Sequence, residues 1–331
     1  MTQADIKLGS TLYAFTNEFH QRKYNFEDLV REVAKRNLGP GLEVVGFQSF
    51  RGFPTVSDDT AARFKNLIAE TGLTPTCLGI NADNWNRRDY TMSHQESVEY
   101  QALQIKAAAK LGFPVLRYQY AAGPEAIREL APLAEDLGVK LGLEVHAPHS
   151  INHPEVMAYR EMYAQTNSPY LGFIPDFGSS ARTIPPIYLQ YFRSRNVPED
   201  VITHAVAMWH EDSDRFAKRV NFLEWAKGIN LPDSLAAEVP IIFGLFSQQP
   251  LSNWLEIMPQ TVHVHGKFYG VDESGEDPSM DYNGIIKVFL EGGYRGYISS
   301  EWEGHQVSDE DGFEKVARHH QMLFRILAEN R

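Results

Sequence analysis

The stretch VKLGLEVHAPHSINHPEVMAYREMYAQTNSPYLGFIPDFG (139–178) decides the fold class. It begins with a strand-like apolar run at 139–146, continues through a polar turn into a helical pattern at 153–167, and ends with another apolar run at 170–178. A strand, a helix and a strand in this order form a βαβ unit, in which the two strands lie parallel. The stretch therefore predicts a parallel sheet whose crossovers are helices.

The same alternation extends in both directions from this unit. Ser57 and Gly72 are predicted to cap the helix after the second strand, and Gly112 is predicted to end the helix after the third. Eight strands that alternate with helices predict a (β/α)8 TIM barrel, with residues 1–331 as one domain. An open doubly wound sheet is the alternative, but no GxGxxG follows the first strand. The predicted strands are 8–15, 41–47, 74–81, 114–120, 139–146, 170–178, 261–268 and 296–304.

One interval is too long for a simple barrel repeat. His265 follows Asp176 by 89 residues, whereas a strand–helix repeat in such barrels averages roughly 30 residues. We expect a mainly helical insertion at about 181–255, lying over the mouth of the barrel or forming an assembly surface. Its apolar run AAEVPIIFGLF (236–246) would be buried either against its own barrel or against a partner chain.

Charge and composition exclude several classes of function. The formal net charge of −12 argues against a nucleic-acid partner, because such binding depends on clustered Lys and Arg. No apolar run reaches the roughly 18 residues that a membrane span needs. The opening MTQADIKLGSTLYAF lacks the pattern of a secretory signal, and Cys77 is the only cysteine. We expect a cytoplasmic protein without a membrane segment.

The last four predicted strands each carry a polar residue near their carboxyl end. These residues are Glu144 in GLEVH, Asp176 in IPDFG, His265 in HVHGK and Glu301 in SSEWE. Side chains at the carboxyl ends of barrel strands meet at one mouth, and buried carboxylates lying close together need a compensating cation. The alternative is four unrelated residues just beyond strand ends. Three carboxylates and one imidazole favour a divalent metal, with Mn²⁺ expected and Mg²⁺ or Co²⁺ possible.

Such a metal suits chemistry beside a carbonyl group. It can hold a carbonyl and a neighbouring hydroxyl, and it can stabilise the enediolate that proton loss would form. His146 lies two residues beyond Glu144, on the same face of the strand. We expect His146 to act as a base, with a supporting hydrogen-bond role as the alternative. Glu144 and Glu301 are further catalytic candidates, and Glu301 is the next choice of base.

The pattern of ligands resembles the xylose isomerase-like barrels, which include sugar epimerases, isomerases and inosose dehydratases. HVHGK is similar to the HxHxK pattern of that family, whose second histidine corresponds to His265. EVHAPHS, PDFGS and the long insertion most resemble the alpha (large) subunit of bacterial C-glycoside deglycosidases. The resemblance implies a metal, a small beta subunit in a hetero-oligomer, and a base at His146. One departure is Ser179, where sugar epimerases of this group usually have histidine.

The loops that follow the early strands predict a large, flat substrate. Aromatic and basic residues at a barrel mouth commonly contact sugars or polyphenols, although ordinary packing would explain about half of them. Lys267, beyond His265, would contact a substrate oxygen or pair with a carboxylate. The expected substrate contacts are Phe47, Trp85, Arg87, Tyr118, Lys267 and Trp302.

The resemblance and the residues together favour a metal-dependent lyase that cleaves the carbon–carbon bond of a 3-oxo-C-glycoside. A sugar isomerase or epimerase, or a keto-cyclitol dehydratase, would use the same metal and the same enediolate. An alternative of another class is a non-catalytic binding or scaffold subunit. The intact set of four ligand residues argues against it, since a degenerate site should have lost a carboxylate.

Overall fold

The computed structural model describes residues 6–81 and 89–330. Eight parallel strands form one sheet in the order β6-β5-β4-β3-β2-β1-β8-β7. Parallel bridges Phe173↔Thr261 and Asp176↔His265 join the two outer strands and close the barrel. The predicted TIM barrel is confirmed. The strands are β1 (Lys7–Thr11), β2 (Gly41–Val45), β3 (Thr74–Gly79), β4 (Val115–Tyr118), β5 (Lys140–Val145), β6 (Leu171–Pro175), β7 (Val264–Phe268) and β8 (Tyr297–Trp302).

Helices cover the outside of this barrel. Gly72 ends one helix in the left-handed region, with φ of 70°, a conformation that costs glycine little. Ser57 caps the start of that helix as predicted, because its side chain accepts a hydrogen bond from the N–H of Thr60. The helices are α1 (Thr16–His20), α2 (Phe26–Lys35), α3 (Gly46–Ser49), α4 (Asp58–Thr71), α5 (His94–Leu111), α6 (Pro124–Leu137), α7 (Pro154–Thr166), α8 (Pro186–Ser194), α9 (Glu199–Trp209), α10 (Arg215–Gly228), α11 (Asp233–Glu238), α12 (Ile242–Leu245), α13 (Tyr282–Glu291) and α14 (Gly312–Glu329). None of these helices has the length and apolar character that crossing a membrane requires.

The first strand is shorter than its sequence pattern predicts. The apolar run continues to Phe15, but Leu12–Phe15 forms a 3-10 helix. Thr11 starts this turn, since its side chain accepts a hydrogen bond from the N–H of Tyr13. The apolar pattern does not reveal this change, because Leu12, Ala14 and Phe15 are buried in the turn as they would be in a strand.

Residues along each strand point alternately into the barrel and outward to the helices. In β5, Leu141, Leu143 and Val145 are completely buried and belong to the large hydrophobic core. Glu144 lies between the last two, so alternation turns its carboxylate to the opposite side, into the barrel mouth. The apolar layer between the sheet and the helices thereby fixes the direction of the polar side chains.

The long interval between β6 and β7 contains the helices α8 to α12. The apolar run 236–246 packs mainly within the chain, because Val239, Ile242, Phe243 and Phe246 are buried there. Only a small part of the run remains open, with Ile241 46% exposed. Of the two expected ways to bury this run, the structure therefore shows packing against its own chain.

Candidate metal centre

Four polar side chains from β5 to β8 and their ends meet inside the barrel mouth. Glu144, Asp176, His265 and Glu301, here called the quartet, each offer a donor atom, and these atoms all lie within 4.8 Å of one another. All four residues are buried. The quartet thus places three carboxylates and one imidazole around one point.

Strand register brings the members of the quartet to the same level. Asp176 pairs with His265 across the closing bridge between β6 and β7. In the next pair of strands, Lys267 lies opposite Glu301. His265 and Lys267 are two residues apart and therefore share the inner face of β7.

His265 is held on both sides of its imidazole ring. Its Nδ1 lies 2.9 Å from Oε1 of Glu144 and 3.6 Å from Oε2 of Glu301. Its Nε2 lies 2.9 Å from Oε1 of Glu43, a buried carboxylate on β2. A ring that donates from Nε2 to Glu43 turns the lone pair of Nδ1 toward the quartet. Metal-binding histidines are commonly oriented by such an outer carboxylate.

A second histidine, His263, contacts the same carboxylate. Nε2 of His263 is 3.0 Å from Oε2 of Glu43 and 3.0 Å from Oγ of Ser299. Glu43 therefore joins both histidines of the HVHGK segment through its two oxygens. Sequence reasoning missed Glu43, although a charged residue inside the apolar strand GLEVV was a usable signal.

Burial raises the pKa of each quartet carboxylate, and neighbouring positive charges lower it. Burial tends to raise the pKa of Glu144, but Arg117 and His265 outweigh it and hold that pKa well below its usual range. Burial dominates for Asp176 and Glu301, so the pKa of each lies above its ordinary value. Negative neighbours add to both of these increases. An added cation would stabilise the ionised forms of both Asp176 and Glu301.

Lys267 contacts the far side of the quartet. Its Nζ lies 2.6 Å from Oδ2 of Asp176, 3.6 Å from Oε2 of Glu301 and 3.2 Å from Oε2 of Glu303. Gly178 makes room for this side chain, because a Cβ there would lie 2.8 Å from Cδ of Lys267. The lysine is thus buried among carboxylates at the edge of the open cavity.

Arg117 and Gln119, from β4 and its end, fix the other oxygen of Glu144. Gln119 donates a hydrogen bond of 2.9 Å to Oε2, and Nε of Arg117 lies 3.6 Å from the same atom. Gly79 on β3 leaves space for the guanidinium, since a Cβ there would come within 2.7 Å of it. Oε1 of Glu144, on the His265 side, remains directed at the quartet.

His146 stands at the mouth just above Glu144. Its Nδ1 lies 2.6 Å from the carbonyl oxygen of Ala147. A carbonyl oxygen can only accept, so Nδ1 carries the proton, and Nε2 is the nitrogen that can take one from a substrate. The ring lines the same cavity as Glu144 and Glu301. This geometry is compatible with a base that acts beside the quartet.

The quartet fits a divalent cation. Oε2 of Glu301 is buried and has no hydrogen-bond partner among the described residues. Arg117 and Lys267 are the permanent positive charges that contact quartet carboxylates, whereas the carboxylates in and around the quartet are those of Glu43, Glu144, Asp176, Glu301 and Glu303. A mainly oxygen donor set with one imidazole suits Mn²⁺ or Mg²⁺ better than a structural zinc.

A cavity of about 650 Å³ opens above the quartet. Phe47 lies on its rim and is 47% exposed. Tyr13 lines another wall, where burial and the charges of Glu303 and Glu301 raise its pKa to about 12. The cavity is large enough for a sugar with an aromatic substituent, since small-molecule sites commonly span roughly 300–1,000 Å³.

The expected substrate contacts divide into three groups. Phe47 and Lys267 line the cavity. Trp85 and Arg87 lie outside the described residues. Tyr118 and Trp302 are completely buried and do not line the cavity, so those two expectations are corrected.

Strand alternation explains both corrections. Tyr118 follows the inward-facing Arg117 and therefore points to the helices, where its ring lies 5.8 Å from that of Tyr159. Trp302 follows the inward-facing Glu301, and its Nε1 donates to the carbonyl oxygen of Tyr269 over 3.3 Å. The cavity-lining residues that sequence reasoning missed include Tyr13, Gln48, Arg117, Gln119, Arg215 and Glu303.

Comparisons with known proteins identify the family of this chain. The profile of the xylose isomerase-like TIM barrel family matches residues 40–323. The 3'-dehydrocarminate deglycosidase alpha subunit of Microbacterium sp is 40% identical, covering 98% of this chain and 96% of that protein. A C-glycoside deglycosidase alpha subunit of Arthrobacter globiformis is 42% identical, covering 97% of this chain and 90% of that protein.

Solved structures share the fold at low sequence identity. The 3-keto-D-glucoside 4-epimerase of E. coli superposes with a TM-score of 0.56 at 13% identity, covering 96% of this chain and 99% of that chain. A xylose isomerase-like TIM barrel protein of Mycobacterium smegmatis, solved with magnesium, superposes with a TM-score of 0.57 at 13% identity, covering 98% of both chains. The chain belongs to the xylose isomerase-like TIM barrel family and, within it, to the group of the C-glycoside deglycosidase alpha subunits.

Proposed function

We propose that this chain is the alpha subunit of a metal-dependent carbon–carbon lyase that acts on 3-oxo-C-glycosides. The observation that carries the proposal is the quartet with His146 beside it, in a chain 40% identical to a deglycosidase named for 3'-dehydrocarminate. The cavity above the quartet offers space for both the sugar and its aromatic aglycone.

The proposed reaction is an elimination. A ketone at C3 acidifies the hydrogen on C2, and the bond from C1 to the aryl carbon lies β to that ketone. Removal of the C2 proton supplies the electron pair for a C1–C2 double bond, while the bond from C1 to the aryl carbon breaks. The aryl carbon takes up a proton as it leaves, so the products are an unsaturated keto sugar and the free aglycone. No oxidant, reductant or water is consumed.

Each residue has a separate part in this proposal. His146 removes the C2 proton through Nε2, because its Nδ1–H is committed to the carbonyl of Ala147. Lys267 and Tyr13 lie where they would contact sugar oxygens, and Phe47 would pack on the flat aglycone. Their arrangement around one cavity supports the proposal.

The quartet is the proposed metal site, and Mn²⁺ is the proposed ion. Glu144, Asp176, His265 and Glu301 would hold it, with Glu43 orienting His265 from outside. A bound divalent cation would supply Lewis acidity for the ketone and its neighbouring hydroxyl. Three carboxylates with one imidazole support a hard ion of this type.

We also propose a small second subunit and a cytoplasmic location. The relatives are named alpha subunits, which is support for a partner in a hetero-oligomer. Exposed apolar residues lie on α10, whose first residue Arg215 lines the cavity; Phe216 is 66% exposed and Val220 is 53% exposed. A partner seated there would narrow the mouth and exclude water from the reaction.

A sugar isomerase or epimerase remains the second candidate. It would use the same metal and the same kind of proton removal, but it would need a group on the opposite face of the sugar. Ser179, which takes the place of the usual histidine, is buried, and its Oγ lies 3.1 Å from the carbonyl oxygen of His149. A hydroxyl engaged with backbone in this way supports the lyase over two-sided epimerisation.

The direct test is product analysis. The chain, co-expressed with the small partner subunit, is incubated with Mn²⁺ and a 3-oxo-C-glucoside, and the free ketose D-fructose is the parallel substrate. The proposal expects release of the free aglycone and an unsaturated keto sugar. Turnover of the ketose alone would instead support the isomerase, and a stable, fully active monomer would contradict the need for a partner.

A further inference from the structure

A second cluster of potential metal ligands lies outside the quartet. It consists of His149, in the loop that follows β5, with His153 and Glu155 at the start of α7. One donor atom from each residue lies within 4.8 Å of the others. This loop cluster shares no residue with the quartet, and the reaction proposed above does not use it.

The contact between His149 and Glu155 is not an ordinary ion pair. Nε2 of His149 lies 3.3 Å from Oε2 of Glu155, longer than the roughly 2.7–2.9 Å of a charged hydrogen bond. Donor atoms on a tetrahedral ion with bonds of about 2.0 Å lie about 3.3 Å apart. The spacing therefore matches two ligands of one ion.

Neither ring nitrogen of His149 is held firmly by the protein. The residue is only 8% exposed, its Nδ1 has no hydrogen-bond partner among residues 6–81 and 89–330, and its Nε2 has the 3.3 Å contact with Glu155, so Nε2 is free to bind an ion. His153 lies against it, with the ring centroids 4.1 Å apart. Nδ1 of His153 receives only a 3.3 Å bond from the backbone of Glu155, which is long for N–H donation, so this ring can reorient at little cost.

We propose that His149, His153 and Glu155 form a second metal site that binds a borderline divalent cation such as Zn²⁺. Two imidazoles and one carboxylate are a softer set than the quartet, and three protein ligands with one open position are common for zinc. A second cavity of about 570 Å³ borders the loop cluster and supplies the open position. His210 lines the same cavity and lies on the side of the insertion.

The loop cluster lies next to the proposed base, and this position indicates how a bound ion would act. His149 also lines the cavity above the quartet, and its ring centroid lies 6.2 Å from that of His146. The two residues belong to one short loop. An ion bound at His149 would brace this loop and fix the position of His146. The second ion would thus act by positioning the base rather than by contacting the substrate.

Metal counting tests the proposal independently of the lyase reaction. The full chain is loaded with Mn²⁺ and titrated with Zn²⁺ against a chromophoric chelator, as wild type and as His153→Ala and Glu155→Gln. The wild type should bind one more equivalent of Zn²⁺ than either variant, with equal Mn²⁺ content in all three proteins. Co²⁺ should give the strong visible absorption of a tetrahedral site in the wild type alone.

The matched control is His94→Ala. His94 and Glu129 form another histidine–glutamate pair, in this case exposed on both sides, with Nε2 and Oε1 2.7 Å apart. This control should keep the additional Zn²⁺ equivalent. The Mn²⁺ content reports folding of each variant, and Glu155→Gln changes an exposed position if His153→Ala fails to fold. Equal Zn²⁺ stoichiometry in the wild type and Glu155→Gln, or loss of Zn²⁺ in the control, would overturn the proposal.

Discussion

Oε1 of Glu43 lies 2.9 Å from Nε2 of His265, deep inside the barrel. The carboxylate comes from β2 and the imidazole from β7, which lies three strands away in the sheet order, beyond β1 and β8. Both side chains are buried, so neither contact exchanges easily with water. The contact with Glu43 orients the ring of His265 so that its Nδ1 faces the three carboxylates of the quartet.

Replacing Glu43 tests that orientation. Glu43→Ala should weaken Mn²⁺ binding by about 10–100-fold, the usual effect of losing an outer carboxylate on a metal-binding histidine. Glu43→Gln should lose less, because its amide oxygen can still accept from Nε2 of His265. Mn²⁺ titration followed by electron paramagnetic resonance measures the affinity. Ser299→Ala is the control, since it removes only the hydroxyl beside His263. Equal affinity in Glu43→Ala and the wild type would refute the role.

Removing the proposed base should separate catalysis from metal binding. His146→Ala should lower kcat by about 10²–10⁴-fold, because proton removal loses its positioned acceptor. Mn²⁺ affinity should remain unchanged, and added imidazole should restore part of the rate. His305→Ala is a matched control, since its Nδ1 also lies at hydrogen-bond distance from a backbone carbonyl, that of Trp302. If His146→Ala stays within a few-fold of wild type, Glu301 is the next base to test.

Phe47 should affect substrate affinity more than turnover. Phe47→Ala should raise KM for a substrate with a flat aromatic aglycone by about 2–12-fold, the equivalent of about 0.5–1.5 kcal/mol of ring stacking. The value of kcat should change little, since the ring lies on the rim of the cavity. Phe324→Ala removes another exposed ring that does not line this cavity. Steady-state kinetics on both variants decides the matter, and an unchanged KM in Phe47→Ala would argue against the contact.

Acid should destabilise the fold partly through His320. Burial lowers the pKa of this residue to about 4, although its Nε2 donates to the carbonyl of Gly9 over 3.1 Å. An unfolded histidine titrates near 6.5, so the unfolded state binds more protons between about pH 6.5 and 4. The stability that His320 contributes is complete above that window and is lost as the pH falls through it, by about 3 kcal/mol at most.

Urea unfolding at pH 7 and pH 4.5 measures this effect. The wild type should lose more unfolding free energy between the two values than His320→Gln, which has no proton to gain. Comparing the pH dependence within each protein removes any constant cost of the substitution. An identical loss in both proteins would mean that His320 does not titrate in this window.

The sequence predicted the barrel and the four members of the quartet more completely than it predicted the cavity. Strand ends can be found from apolar runs, and Glu144 and Asp176 interrupt such runs visibly. The direction of a side chain is harder to predict where both faces of a strand are apolar. Tyr118 was therefore assigned to the mouth, while its inward-facing neighbour Arg117 was missed.

Long-range pairing accounts for the other omissions. Glu43 acquires its role from His265, which lies 222 residues away in the chain. The loop cluster similarly depends on how the chain turns between β5 and α7, which brings His149 against His153. Residue spacing alone gives neither contact, because both depend on the closed barrel and its loops.

The central claim is that the quartet holds a divalent metal that the cleavage of 3-oxo-C-glycosides requires. The decisive measurement is aglycone release by the co-expressed protein after exhaustive chelation, and again after Mn²⁺ is returned. We predict that chelation abolishes release, that Mn²⁺ restores it, and that Asp176→Ala stays folded but inactive under both conditions. Full activity after chelation, or an active Asp176→Ala, would contradict the account.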